Sequence, residues 1–158
     1  FNDKIDFVQD IPISTYGEMD SDSAIANSGY GQDKLLVNPI HMGMMYSCFA
    51  NGGNMVMPCS EYTETKYYKQ HVISEEISNV IKDDLIQVVE VGTGKDSKID
   101  GKILAGKTNQ NDETGTEIGW FNCFDENGLL IISMVEDVKE KGGSHYLLPK
   151  IKSIFEIF

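Results

Sequence analysis

The residues able to do chemistry in this sequence are few and widely spaced. His41 and Cys48 lie two turns apart on one helical pattern, with Cys59 close behind. They begin a zinc ligand set without supplying a clear third or fourth ligand. A buried thiol and a packed or surface histidine account for the same residues. Gly92-Thr93-Gly94-Lys95 has the composition of a phosphate cradle. It follows a helical pattern instead of opening one, so its amides point away from any anion placed there. His-Glu-x-x-His, Gly-x-Ser-x-Gly and phosphate-loop motifs are absent. The sequence also contains no arginine, so its 13 cationic side chains are all lysines. An anionic group would have to be held by lysine, hydroxyl or backbone amide, with no guanidinium fork to help.

The elements that must position such residues are easier to read. Asn38 is a good N-cap, with Pro39 at the first helical position, where its missing N–H costs nothing. Ile40, Met44, Met45, Cys48 and Phe49 follow at helical spacing, and Asn51-Gly52-Gly53 supplies a left-handed stop. The methionines on this helix read as core filler. A second helix is predicted from Ser74 to Val91, with Glu75 and Glu76 in its first turn. Its expected apolar stripe is Ile77, Val80, Ile81, Leu85, Val88 and Val89, and Gly92-Thr93-Gly94 ends it. Strands are predicted at 102–105, 118–124 and 129–135, with Asp125-Glu126-Asn127-Gly128 as a hairpin turn between the last two. A closing helix over 149–158 would turn Ile151, Ile154, Phe155 and Phe158 to one side. From Phe1 to Val37 the chain is polar and broken by Gly17, Gly29 and Gly31, and it reads as loop with short structured pieces. The order of helix, helix, antiparallel meander and final helix is that of an α+β fold.

Size and charge narrow the function classes. A length of 158 residues suits one domain with a true core, and 41% hydrophobic with 24% charged residues is a folded composition. The net charge of −12 repels nucleic-acid backbones and anionic membranes, so nucleic acid is excluded as a partner. No apolar run approaches the length needed to span a bilayer, and Phe1–Asp10 lacks the layout of a signal peptide. The chain starts inside a globular pattern and is expected to be a fragment. Cys48, Cys59 and Cys123 make no disulfide framework.

Read together, several segments resemble the transpeptidase domain of class B penicillin-binding proteins. Ser28-Gly29-Tyr30-Gly31-Gln32, then Leu36-Val37-Asn38-Pro39-Ile40-His41-Met42, then Phe49-Ala50-Asn51-Gly52-Gly53 are similar to a glycine-rich loop, an Asn-Pro helix and an Asn-Gly-Gly turn of that family. Gly92-Thr93-Gly94, Ala105-Gly106-Lys107-Thr108 and Gly119-Trp120-Phe121 follow in the family's order. The likeness covers nearly the whole chain and is nearest to the low-affinity, resistance-type staphylococcal group. It implies that residues 1–158 are the C-terminal part of a single penicillin-binding protein/β-lactamase-like transpeptidase domain, an antiparallel sheet packed by helices. The parent would be a serine D,D-transpeptidase without cofactor or metal. It would act on D-Ala-D-Ala stem peptides outside the bacterial membrane, with an upstream anchor, and β-lactams would trap its acyl-enzyme.

The family carries Ser-x-x-Lys, Ser-x-Asn and Lys-Thr/Ser-Gly motifs. The first pairs a nucleophile with a lysine that takes its proton, and the third holds the substrate's terminal carboxylate. No serine here is followed by lysine three residues on, or by asparagine two residues on. The catalytic residues are therefore expected upstream of Phe1, and this chain alone is expected to be inactive. Lys107 and Thr108 are what the resemblance assigns to substrate binding, but Asn109 stands where the motif has glycine. Lys107 also reads as an ordinary solvated lysine. Glu113-Thr114-Gly115 imitates the motif with the wrong charge and leaves no room for a strand before Gly119-Trp120-Phe121. Residues 109–117 then read as a polar hairpin, and a physical gap or high mobility is expected between Ala105 and Asn109. A non-catalytic cell-wall binding or sensor module of the same fold is the alternative.

Overall fold

The structure, a computed structural model, describes residues 1–2, 4–5, 11–32, 34–62, 64–111 and 117–158. Helix α1 (Asp22–Ser28) and helix α2 (Pro39–Ala50) are followed by a small hairpin of β1 (Met55–Val56) and β2 (Tyr67–Lys69). Helix α3 (Glu75–Glu90) leads to strands β3 (Leu104–Asn111), β4 (Ile118–Asp125) and β5 (Leu130–Val135), and helix α4 (Leu148–Phe155) closes the chain. The strands form an antiparallel sheet in the order β3-β4-β5.

Local chemistry fixes the element ends. The Asn38 side chain accepts from the N–H of His41 at 2.8 Å, with Pro39 in the first turn of α2. Gly52 and Gly53 end the helix at φ 70° and 91°. At Gly53 any Cβ would sit 2.1 Å from the Ile73 carbonyl oxygen, so only glycine fits. Ser74 caps α3 through the N–H of Ile77, and Asp125 closes the β4–β5 turn by accepting from Asn127 and Leu129. In the polar first segment, Ser21 caps the short α1. The β1–β2 hairpin, whose second strand is exposed, carries too few residues to show a period in sequence.

The sheet is covered on both faces. Leu104, Phe121 and Cys123 lie on one face and pack with Val89 of α3 and Leu148, Ile151 and Phe155 of α4. Ala105 and Phe124 lie on the other face, with Tyr46 of α2 and Leu85 of α3. Phe121, Phe124 and Phe155 are fully buried, each contributing about 2–3 kcal/mol of burial free energy. The antiparallel sheet is thus packed by helices, as the resemblance implies, with α3 running along β3 and feeding both faces.

Three expectations need correction. Strand β3 is longer than 102–105 and shows no gap beside Lys107. Every residue from Leu104 to Asn111 faces a partner on β4, ending with Asn109↔Trp120 and Asn111↔Ile118. The polar residues Asn109–Asn111 are anchored by the backbone ladder, which needs no apolar side chains. Of the anticipated polar hairpin, 112–116 lie outside the described residues, as does Glu113-Thr114-Gly115, and Glu117 is buried. Second, Ile77 and Val80 are exposed, and Ser78 takes their place in the interior. Its hydroxyl reaches the Cys48 and Phe49 carbonyls at 2.9 and 3.3 Å, in the last turn of α2. Third, α4 ends at Phe155, so Phe158 is exposed and Ile154 partly so, and the buried face is Leu148, Ile151 and Phe155. Lys102 donates to the Phe155 carbonyl and holds this helix end against the start of β3.

These assignments separate two neighbouring positions. Ser78→Ala removes the hydroxyl from the Phe49 carbonyl and from the Cys48 carbonyl, which keeps the Gly53 N–H, and should cost about 0.5–1.5 kcal/mol in urea unfolding followed by the fluorescence of Trp120. Ile77→Ser, at an exposed site, should stay within about 0.5 kcal/mol of the parent.

Candidate functional site

Helix α2 covers only part of its sheet face. Where Lys107, Asn109, Trp120, Asn122 and Met134 emerge, the face opens into a cleft of about 870 Å³. The opposite wall is Met42 and Tyr46 of α2 together with Gly29-Tyr30-Gly31-Gln32 and Leu35-Leu36-Val37. The glycine-rich loop is the C-terminal turn of α1. The N–H groups of Gly31 and Gln32 bond to the Ser28 and Asn27 carbonyls, and the Tyr30 hydroxyl meets Asn27 Oδ1 at 2.6 Å.

Lys107 and Thr108 both line this cleft, and Lys107 is its single cation among the described lining residues. Lys107 Nζ donates to the Thr108 carbonyl, so its charge lies along the strand. Thr108 is nearly buried, and its hydroxyl lies 2.6 Å from that of Thr93. Asn122 sits opposite Lys107 on β4. Its side chain shares a hydrogen bond with the Tyr46 hydroxyl, and its Oδ1 accepts from the N–H of Ser133. Burial pushes the Tyr46 phenol up, with the Asn122 bond opposing that and Cys123 adding to it. The tyrosine is therefore a neutral, fixed wall. Among the described lining residues there is no Ser, Cys or His, and the Lys107 cation suits holding an acidic group.

The resemblance pointed to Lys107 and Thr108 as site residues, and the structure places both in one cleft with the glycine-rich loop, to which the sequence had assigned no site role. Tyr46, Asn122 and Thr93 were missed as site residues, because their partners lie far away in sequence. Gly92-Thr93-Gly94 makes no phosphate cradle: the Gly92 and Gly94 N–H groups bond to the Gln87 and Val88 carbonyls. Nor do the candidate zinc ligands form a set of three among the described residues. Cys48 is buried with its thiol on the Met44 carbonyl, and Cys59 is exposed. Burial lowers the His41 pKa.

This fold is found in solved transpeptidases. The chain superposes on the D,D-transpeptidase domain of a peptidoglycan glycosyltransferase from Eggerthella lenta with a TM-score of 0.74. That match covers 99% of this chain and 45% of the other, at 20% identity. Penicillin-binding protein A of M. tuberculosis, solved as an imipenem acyl-enzyme complex, gives 0.77 over 93% of this chain and 37% of its own, at 16% identity. The family model for the penicillin binding protein transpeptidase domain matches residues 3–156. Penicillin-binding protein 3 of Bacillus subtilis (strain 168) is 34% identical over 154 residues, 88% of this chain and 23% of that protein. The chain belongs to the penicillin-binding protein transpeptidase domain family, and it spans about a quarter of the length of this Bacillus relative.

Burial also orders the thiols. It raises the pKa of Cys48 and, more strongly, of Cys123, where Asp125 adds to the effect. A thiol-specific reagent at neutral pH should therefore modify Cys59 quickly and reach Cys48 and Cys123 only in denaturant, as read by intact mass.

Proposed function

We propose that residues 1–158 form the C-terminal part of one transpeptidase domain and supply the sheet side of a peptidoglycan D,D-transpeptidase site. In this reading the parent protein cross-links D-Ala-D-Ala stem peptides through a serine acyl-enzyme, and β-lactams enter the same site. The nucleophile and its lysine come from the rest of the domain, upstream in the parent. Lys107 and Thr108 hold the terminal carboxylate of the stem peptide or of the antibiotic. The Lys107 cation on the edge strand β3, facing the glycine-rich loop across the cleft with Thr108 next to it in the lining, is the observation that carries the reading. The cation acts in a protein of net charge −12, so it is the local charge in the cleft that favours an anion.

The parent works on the outer face of the bacterial membrane. No helix among the described residues is long and apolar enough to cross a membrane, so an anchor would belong to another part of the parent. Grouping with the low-affinity, resistance-type enzymes rests on the ordered motifs of the loop, the α2 helix and the Gly-Trp-Phe strand. Asn109 in place of glycine is the feature that suits a non-catalytic wall-binding module instead. The proteins similar to this chain favour the enzyme, since one is named a peptidoglycan D,D-transpeptidase homolog and another was solved as an acyl-enzyme.

Labelling with a fluorescent penicillin tests the proposal. The full-length protein should acquire one covalent label, and residues 1–158 alone should show no acyl mass increment, because hydroxyls without a paired base are weak nucleophiles. A stoichiometric adduct on Ser28 or Ser144 of the isolated chain would contradict this. In the full-length protein, Lys107→Ala should slow acylation by about tenfold or more, the effect of losing a charge-assisted hydrogen bond.

A further inference from the structure

Thr93 lies outside the cleft lining, yet its hydroxyl is 2.6 Å from that of Thr108 across a separation of 15 residues. Its backbone is fixed on both sides. The Gly92 N–H bonds to the Gln87 carbonyl at 3.1 Å, and the Gly94 N–H bonds to the Val88 carbonyl at 2.9 Å. The turn therefore holds the Thr93 hydroxyl at the end of α3, against β3.

A threonine hydroxyl has one proton to donate and two lone pairs to accept with. Two hydroxyls in contact share one bond, and the geometry allows either to be the donor. If Thr108 donates, its only proton is spent on Thr93 and none remains for a ligand. If Thr93 donates, the Thr108 proton is free, and accepting a bond makes that O–H a better donor. A carboxylate only accepts, so an anionic ligand drawn by Lys107 selects the second arrangement.

We propose that Thr93 is a positioning residue that donates to Thr108 and leaves the Thr108 proton for the carboxylate of the ligand. This rests on the reading above that Lys107 and Thr108 receive that carboxylate. Thr93 acts through Thr108 and touches no substrate itself. Its contribution depends on the ligand's negative charge, which a purely structural contact would not.

The experiment measures acylation rates of the full-length protein by intact mass, using benzylpenicillin and its uncharged methyl ester. Wild type, Thr93→Val and Thr93→Ser are compared. Thr93→Val should slow the carboxylate form about fivefold, the effect of one neutral hydrogen bond, and leave the ester rate within about twofold of wild type. Thr93→Ser, which keeps the donor, should restore the carboxylate rate. Equal loss with both ligands, or no loss with either, overturns the role of Thr93 while leaving the enzyme reading standing. A wild-type protein that reacts with neither ligand overturns the enzyme reading, and this inference falls with it.

Discussion

The β3–β4 ladder is the constraint on which the rest of the structure depends. Its register runs unbroken from Leu104↔Asp125 to Asn111↔Ile118. Strand residues alternate between faces with a period of two, so this register decides which side chains enter each core and which reach the cleft. Lys107 is set beside Asn122 and Thr108 beside Phe121. A slip of one residue would drive Lys107 toward the core around Phe121 and Cys123. Desolvating the ammonium there without a partner makes that register far more costly. Gly106 adds a steric lock, since a Cβ there would lie 2.6 Å from the Cys123 Cβ.

Given the ladder, the cleft is what α2 leaves uncovered. The helix packs Tyr46, Ala50 and Phe49 toward Ala105, Phe124, Leu130 and Ile132, and the apolar match ends at Asn122. A polar side chain this deeply buried is tolerable only when bonded. Asn122 meets that condition through Tyr46 and Ser133. The boundary between packed core and open cleft is thus a hydrogen-bonded seam joining α2, β4 and β5. It gives the site a stiff floor and keeps Tyr46 from acting as a base. On the far side of the strand, the turn after α3 closes over Thr108. Both neighbours of Lys107-Thr108 are therefore ordered by contacts that do not depend on a ligand.

Much of the local architecture could be read from the sequence, because its causes lie within a few residues. Asn38-Pro39, Ser74 and Asp125 through Gly128 fix ends and turns by bonds to backbone groups two to four positions away. The same locality made Ile77 and Val80 misleading. Helical spacing gives a stripe, but only the neighbouring helix decides its angle. The strand through Asn109–Asn111 was hidden for a related reason. Backbone pairing holds it, and side-chain composition is silent about backbone partners.

The sequence by itself determined the α+β order, the capped helices, the hairpin turn, and the candidacy of Lys107 and Thr108 through motifs in a fixed order. Those features depend on contacts between residues close in the chain, or on order alone. Only the tertiary structure decided that Ser78 is interior, that Tyr46 and Asn122 floor the cleft, and that Thr93 meets Thr108. Each joins residues from 15 to 76 positions apart, and such contacts exist only once the two faces of the sheet have been packed.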